Sequence, residues 1–171
     1  MRPPVKPIVP NVFTLFNLLL GILSLTYTLN ERYSLAAICI LLSAFLDRVD
    51  GNLARRLGVS SEFGRELDSL ADLVSFGVAP AILAYDAVLN QPLGVWGLTI
   101  SVLFAACGAI RLARFNILNI SNYFLGVPIT IAGGLIATAM LFANRLPFWS
   151  MAIFMLSLSF LMVSKIRIPK F

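Results

Sequence analysis

The chain has 171 residues, 59% of them hydrophobic and only 12% charged, with a mean hydropathy of +0.91 and a net charge of +5. Soluble domains are about 45–50% apolar and about 25% charged, so composition excludes a water-soluble globule and points to an integral membrane protein. At roughly 20 residues per crossing, this length accommodates about six helices and no separate extramembrane domain, so residues 1–171 read as one all-α membrane domain, a six-transmembrane-helix bundle.

Hydrophobic runs place the helices near 12–29, 33–57, 67–89, 93–115, 125–143 and 147–164. Arg2 and Lys6 precede the first run, but no small-residue cleavage site follows, so it reads as a span and not a removed signal. Turn-forming and polar residues separate the runs: Asn30, Glu31 and Arg32; Gly58, Ser60 and Ser61; Asn90, Gln91 and Pro92; 116–122; then Asn144 and Arg145. Basic residues gather at alternate boundaries, in the order Arg2 and Lys6, Arg48 to Arg65, Arg111 and Arg114, and Lys165 to Lys170. The positive-inside rule then puts both termini and the second-to-third and fourth-to-fifth connections on the cytoplasmic side. The bases are dispersed between apolar stretches, without the solvated patch and interleaved aromatics of a nucleic-acid surface, so no nucleic-acid partner is expected.

Histidine is absent, which removes a His-ligated metal, a His general base and a phosphohistidine. Cys39 and Cys107 lie in apolar runs without ligand spacing and read as small buried hydrophobes. The informative residues are the acids. Of eight in the chain, six fall between positions 47 and 72: Asp47, Asp50, Glu62, Glu66, Asp68 and Asp72.

Only fourteen residues, mostly apolar, run from Tyr33 up to Asp47, Tyr33 included, too few to cross at about 1.5 Å each, so the second helix continues past its acids. Asp47, Asp50, Gly51, Ala54 and Arg55 then share one arc of about 140°. Gly64, Asp68 and Asp72 recur every fourth residue on the third helix, with Gly64 leaving its backbone open to a ligand. An antiparallel hairpin brings the four aspartates to one depth. Small residues at Gly51, Ala54 and Gly64 also suit close helix packing.

Four converging carboxylates repel one another unless cations lie between them. Oxygen-only ligands select hard divalent ions, Mg²⁺, Mn²⁺ or Ca²⁺, and four carboxylates balance two of them. Paired ions of this kind clamp phosphoryl groups, so the implied chemistry is phosphoryl-type transfer. Salt bridges to Arg48, Arg55 and Arg65 are the structural alternative; Arg55, on the acidic face, is also placed to hold a phosphate. Glu62 and Glu66 fit a solvated first helical turn. A divalent-cation transporter is a remote alternative, disfavoured because the acids sit at one boundary and no internal repeat is present.

Asp47-x-x-Asp50-Gly51-x-x-Ala54-Arg55, eight residues, Gly64, three residues, Asp68, three residues, Asp72 resembles the signature of the CDP-alcohol phosphotransferases, matching every fixed position. The resemblance implies a six-helix membrane enzyme, usually a homodimer, that transfers a nucleotide-activated group to an alcohol with loss of CMP. It implies Asp47, Asp50, Asp68 and Asp72 as metal ligands, Asp72 also as base, and Gly51, Ala54, Arg55, Gly64 and Asp68 in the CDP pocket.

Further stretches resemble the phosphatidylserine synthase branch: the run from Asp68 to Pro80, Gly108 to Asn116, Gly126-Val127-Pro128, and Pro10-Asn11-x-Phe13-Thr14-x-x-Asn17. That implies CDP-diacylglycerol and L-serine as substrates, with membrane lipids around the chain. Another acceptor, glycerol phosphate or an inositol phosphate, or an ether-lipid donor is the alternative. Several members making other lipids carry Arg at the position of Asn17, which favours serine here. A serine carboxylate needs a cation, which Arg111 or Arg114 is placed to supply; both also read as flanking charges of the fourth helix. Asn116 either caps that helix or binds substrate. Asn11 reads first as an N-cap, with Thr14 and Asn17 facing the nucleotide.

Overall fold

The structure is a computed structural model that describes residues 8–57, 62–118, 123–143, 147–164 and 167–169; at 8–10, 50–57, 118, 123–125 and 167–169 it describes the backbone alone. Six helices are present among the described residues: α1 Ile8–Leu29, α2 Tyr33–Leu57, α3 Glu62–Leu93, α4 Val95–Leu118, α5 Ile129–Leu141 and α6 Phe148–Val163. Among the described residues three stretches are long and apolar enough to cross a membrane, Asn11–Leu29, Glu62–Leu93 and Val95–Ile117; α5 and α6 are apolar but shorter.

The polar residues of α1 face the bundle and its large apolar ones face outward. On α1, Thr14, Asn17, Gly21, Ser24 and Thr28 follow a three-and-four spacing and are buried, while Leu15, Phe16, Leu19, Ile22 and Leu23 are exposed. A helix in water shows the reverse arrangement, so this face pattern fits a lipid surround. The interior between helices is filled by Ile40, Phe76, Leu83, Phe104, Ile136 and Met155, all fully buried. Helix α1 packs along α2 and against the first half of α3; α5 packs against α2 and α3, and α4 against α6.

Helix α3 is not uniform. Its α-helical opening, Glu62–Asp72, passes into a π-helical stretch, Leu73–Val78, then α-helix Ala79–Ala84 and a second π stretch, Tyr85–Leu89. Each widened turn rotates the following residues relative to an unbroken α-helix, and the first begins directly after Asp72. Asn90, Gln91 and Pro92, expected as a connection, remain helical; the break falls at Gly94, whose φ of +50° is a conformation that glycine adopts without a Cβ penalty.

Three other boundaries differ from expectation. Helix α1 starts at Ile8, so Asn11 lies inside its first turn and is not the N-cap. Helix α4 runs to Leu118, so Asn116 does not cap it. The fifth helix starts at Ile129 and not at 125, because Pro128 holds an extended backbone with ψ 139°. Residues Tyr123–Leu125 instead form a short strand, β1, antiparallel to β2, Arg167–Pro169, with Tyr123 opposite Pro169 and Leu125 opposite Arg167.

Candidate active site

Asp47 from α2 meets Asp68 and Asp72 from α3. One carboxylate oxygen of each lies within 4.8 Å of the others. Asp68 and Asp72 share a face because they are one turn apart. Asp47 reaches them across a space that α1 closes from one side, since α1 packs against both α2 and the Glu62–Asp72 stretch. Behind Asp47, the Thr130 hydroxyl from α5 lies 3.5 Å from its Oδ2. Asp72 is the most enclosed of the three, 8% exposed.

Three carboxylates gathered this closely and partly withdrawn from water require positive charge. Arg48 and Arg65 are exposed. Arg111 of α4 is buried and interacts electrostatically with Asp72, and its Nε has no hydrogen-bond partner. Among the described residues, one buried guanidinium does not balance three acids. The donor set is oxygen alone, the chain has no histidine, and Cys39 and Cys107 are free thiols elsewhere, so the residues present fit a hard divalent cation.

A buried polar network stands behind Asp72. The Asn17 amide Nδ2 donates to Asp72 Oδ1 at 3.1 Å, and the Ser43 hydroxyl donates to Asn17 Oδ1. Ser75 Oγ donates to the Asn17 carbonyl at 3.0 Å. This close approach of α1 and α3 depends on Gly21: a Cβ there would lie 2.5 Å from Ser75 Oγ and 3.0 Å from Ser75 Cα.

The remaining residues singled out in the sequence are placed as follows. Thr14 is buried on the same stripe of α1 as Asn17, and Asn11 is half-buried near its start. Gly64 is half-buried one turn before Asp68. Arg114 donates through NH1 to the Val163 carbonyl at 3.0 Å, tying α4 to the end of α6. Asn116 donates to Ser69 Oγ at 3.1 Å and lies 3.4 Å from Glu66 Oε1, tying α4 to α3. Glu62 and Glu66 are exposed in the first turn and a half of α3, as expected of solvated acids. The side chains of Asp50, Gly51, Ala54 and Arg55 lie outside the described residues.

Ser43, Ser75 and Thr130 have no counterpart among the sequence-derived candidates. Ser43 had a detectable signal: a polar residue in an apolar run, one helical turn before Asp47 and therefore on its face. Ser75 is obscured by the π stretch, which breaks the four-residue spacing after Asp72. Thr130 opens an apolar helix 83 residues from its partner, and nothing local marks it.

Comparison with known proteins agrees with this arrangement. Residues 7–163 match the family model described as CDP-alcohol phosphatidyltransferase. A protein of Helicobacter pylori named CDP-diacylglycerol–serine O-phosphatidyltransferase is 41% identical over 179 residues, covering 98% of this chain and 75% of that protein. A Bacillus subtilis protein of the same name is 39% identical, covering 95% of this chain and 90% of its own length. A Methanothermobacter thermautotrophicus protein named archaetidylserine synthase is 36% identical, covering 94% of this chain and 69% of its own length. The agreement extends over nearly all of the sequence and includes the helices that bring the three aspartates together: the chain belongs to the CDP-alcohol phosphatidyltransferase family.

Proposed function

We propose that this protein is a CDP-diacylglycerol–serine O-phosphatidyltransferase. The observation that carries the reading is the Asp47–Asp68–Asp72 cluster, in a chain whose relatives bear that name at up to 41% identity. Asp47, Asp50, Asp68 and Asp72 would hold two divalent ions, Mg²⁺ or Mn²⁺, with Ca²⁺ able to stand in, and these would supply positive charge for the acids and for the diphosphate of the donor. Asn11, Thr14, Gly51, Ala54, Arg55, Gly64 and Asp68 form the CDP pocket.

Asp72 accepts the proton of the serine hydroxyl. The serine oxygen forms its bond to the phosphatidyl phosphorus as the bond from that phosphorus to the CMP oxygen breaks. The bonding pair leaves on CMP, and the proton later passes from Asp72 to water. No covalent intermediate on the protein is needed. Of the acceptor-pocket candidates Arg111, Arg114 and Asn116, the first suits the serine carboxylate best: it is buried, lies in the field of Asp72 and has an unpartnered Nε.

In this reading residues 1–171 act as one six-span domain in a homodimer, surrounded by membrane lipids, with the site and both termini facing the cytoplasm. Serine enters from water while the acyl chains stay in the bilayer. A second reading keeps serine and replaces the donor with an ether lipid; the relative named archaetidylserine synthase favours it.

The test is CMP release by purified protein in detergent with Mn²⁺ and CDP-diacylglycerol, or its ether-lipid analogue, against serine, glycerol phosphate, inositol phosphate and inositol. Serine-dependent release is expected. Release with another alcohol but not serine overturns the acceptor, preference for the ether lipid changes the donor, and metal flux in liposomes without CMP formation overturns the enzyme reading.

A further inference from the structure

The buried network that begins at Ser43 ends on the carboxylate assigned above as the base. Asn17 is fully buried, Ser43 is fully buried and Asp72 is 8% exposed, so water does not compete strongly for these bonds. Their direction is fixed by chemistry. An ionised carboxylate only accepts, so the Asn17 amide must turn its N–H₂ toward Asp72. Its carbonyl oxygen then faces Ser43, which must donate. Ser43 Oγ also lies 3.3 Å from the Asn17 backbone carbonyl, and Ser75 donates to that same carbonyl. Asn17 on α1 is thereby held by hydroxyls from both acid-bearing helices.

We infer that Asn17, locked by Ser43, is a positioning residue that sets the orientation of the Asp72 carboxylate toward the acceptor hydroxyl. The inference rests on the reading of Asp72 as the base. A lone carboxylate rotates about its Cβ–Cγ bond, and each orientation points its lone pairs elsewhere. A bond from an amide that is itself held narrows that freedom, together with the other groups around Asp72. Ser43 supplies the lock, because without its hydroxyl the amide loses the contact that distinguishes its two ends. The relay touches no substrate atom; it acts through Asp72. Polar side chains between membrane helices also serve as packing contacts, and that role would leave turnover per folded molecule unchanged.

The test uses the full-length protein in detergent, with CMP release measured against serine, CDP-diacylglycerol and Mn²⁺ concentration. Asn17→Ala is expected to lower kcat at saturating Mn²⁺ by about 10- to 100-fold, the range seen when an outer-shell partner is removed, with both KM values within about twofold. Ser43→Ala lowers kcat by about 3- to 10-fold, and Ser43→Thr, which keeps the hydroxyl, restores most of it. Because Ser43 acts through Asn17, the double variant turns over no more slowly than Asn17→Ala alone.

Thermal unfolding and size exclusion accompany each assay, and Ser43→Ala, which loses one oxygen, is the variant least prone to misfold. An unchanged kcat in folded Ser43→Ala, or additive losses in the double variant, overturns the relay. Asp72→Asn separates the two levels. If it retains activity, the base is misassigned and the relay falls with it; if it is inactive while Ser43→Ala turns over normally, the base stands and the relay alone is rejected.

Discussion

Thr130, in the first turn of α5, lies 3.5 Å from Asp47 Oδ2, joining the second half of the chain to the carboxylate cluster. A hydroxyl that donates to one oxygen of a ligating carboxylate orients the other toward the ion. Thr130→Val keeps the shape and removes the donor. The half-activating Mn²⁺ concentration should rise by about tenfold, the lower end for an outer-shell partner because the bond is long, with activity at saturating Mn²⁺ largely retained. A metal titration of the purified variant checks this.

Removal of the cations should abolish CMP release. Dialysis against EDTA is expected to give inactive protein that regains activity with Mn²⁺ or Mg²⁺ but not with K⁺, since the oxygen cluster suits hard divalent ions. The bound stoichiometry, read by isothermal titration of the EDTA-treated protein, should be two per chain.

Asp72→Asn should lower kcat by about 10²- to 10⁴-fold, the usual contribution of a general base, while CDP-diacylglycerol still binds. Asp68→Asn, one turn earlier, should act mainly on metal affinity. The two are separated by measuring Mn²⁺ activation curves and single-turnover CMP release on each variant.

The two arginines of α4 should behave differently. Arg111 is buried in the field of Asp72 with an unpartnered Nε, whereas Arg114 is exposed and spends a donor on the Val163 carbonyl. Arg111→Met is expected to raise the serine KM by more than about tenfold, the scale of losing a charge-assisted hydrogen bond. Arg114→Ala should leave serine KM unchanged and lower thermal stability by no more than about 1 kcal/mol, the ceiling for an exposed contact.

Gly21→Val should destabilise the bundle by about 1–3 kcal/mol, because the new side chain has to displace Ser75 and overpacking is not relieved locally. It should also lower kcat, since Ser75 and Asn17 move together. Thermal unfolding in detergent, paired with CMP release, measures both.

Much of the site was legible before any coordinates. Asp68 and Asp72 share a face because of a four-residue spacing, a property of one helix alone. Asp47 was assigned to the same depth because Tyr33 to Asp47 is too short to cross a membrane, and it does meet them. What misled was reading helix caps from neighbouring residues. Asn11 looked like a cap because Pro10 precedes it, yet α1 starts earlier at Ile8. Asn116 reads as a cap or a substrate ligand; α4 continues past it, which removes the cap, and its amide bonds Ser69. Spacing puts Asn17 on the face turned to the site, and only the packed helices show that its amide bonds Asp72.

Composition and helical periodicity alone determined that this is a helical membrane protein with carboxylates aligned along its helices, because both depend on solvent preference and on neighbours within one or two turns. Only the tertiary structure decided which helix supplies Asp72 with its amide, which arginine of α4 is buried in the field of the acids, and that a threonine of α5 backs Asp47. Those pairings depend on the rotation of each helix about its own axis. That rotation is set by how all the faces pack together, including the close approach at Gly21 and the widened turn after Asp72, and no local spacing encodes it.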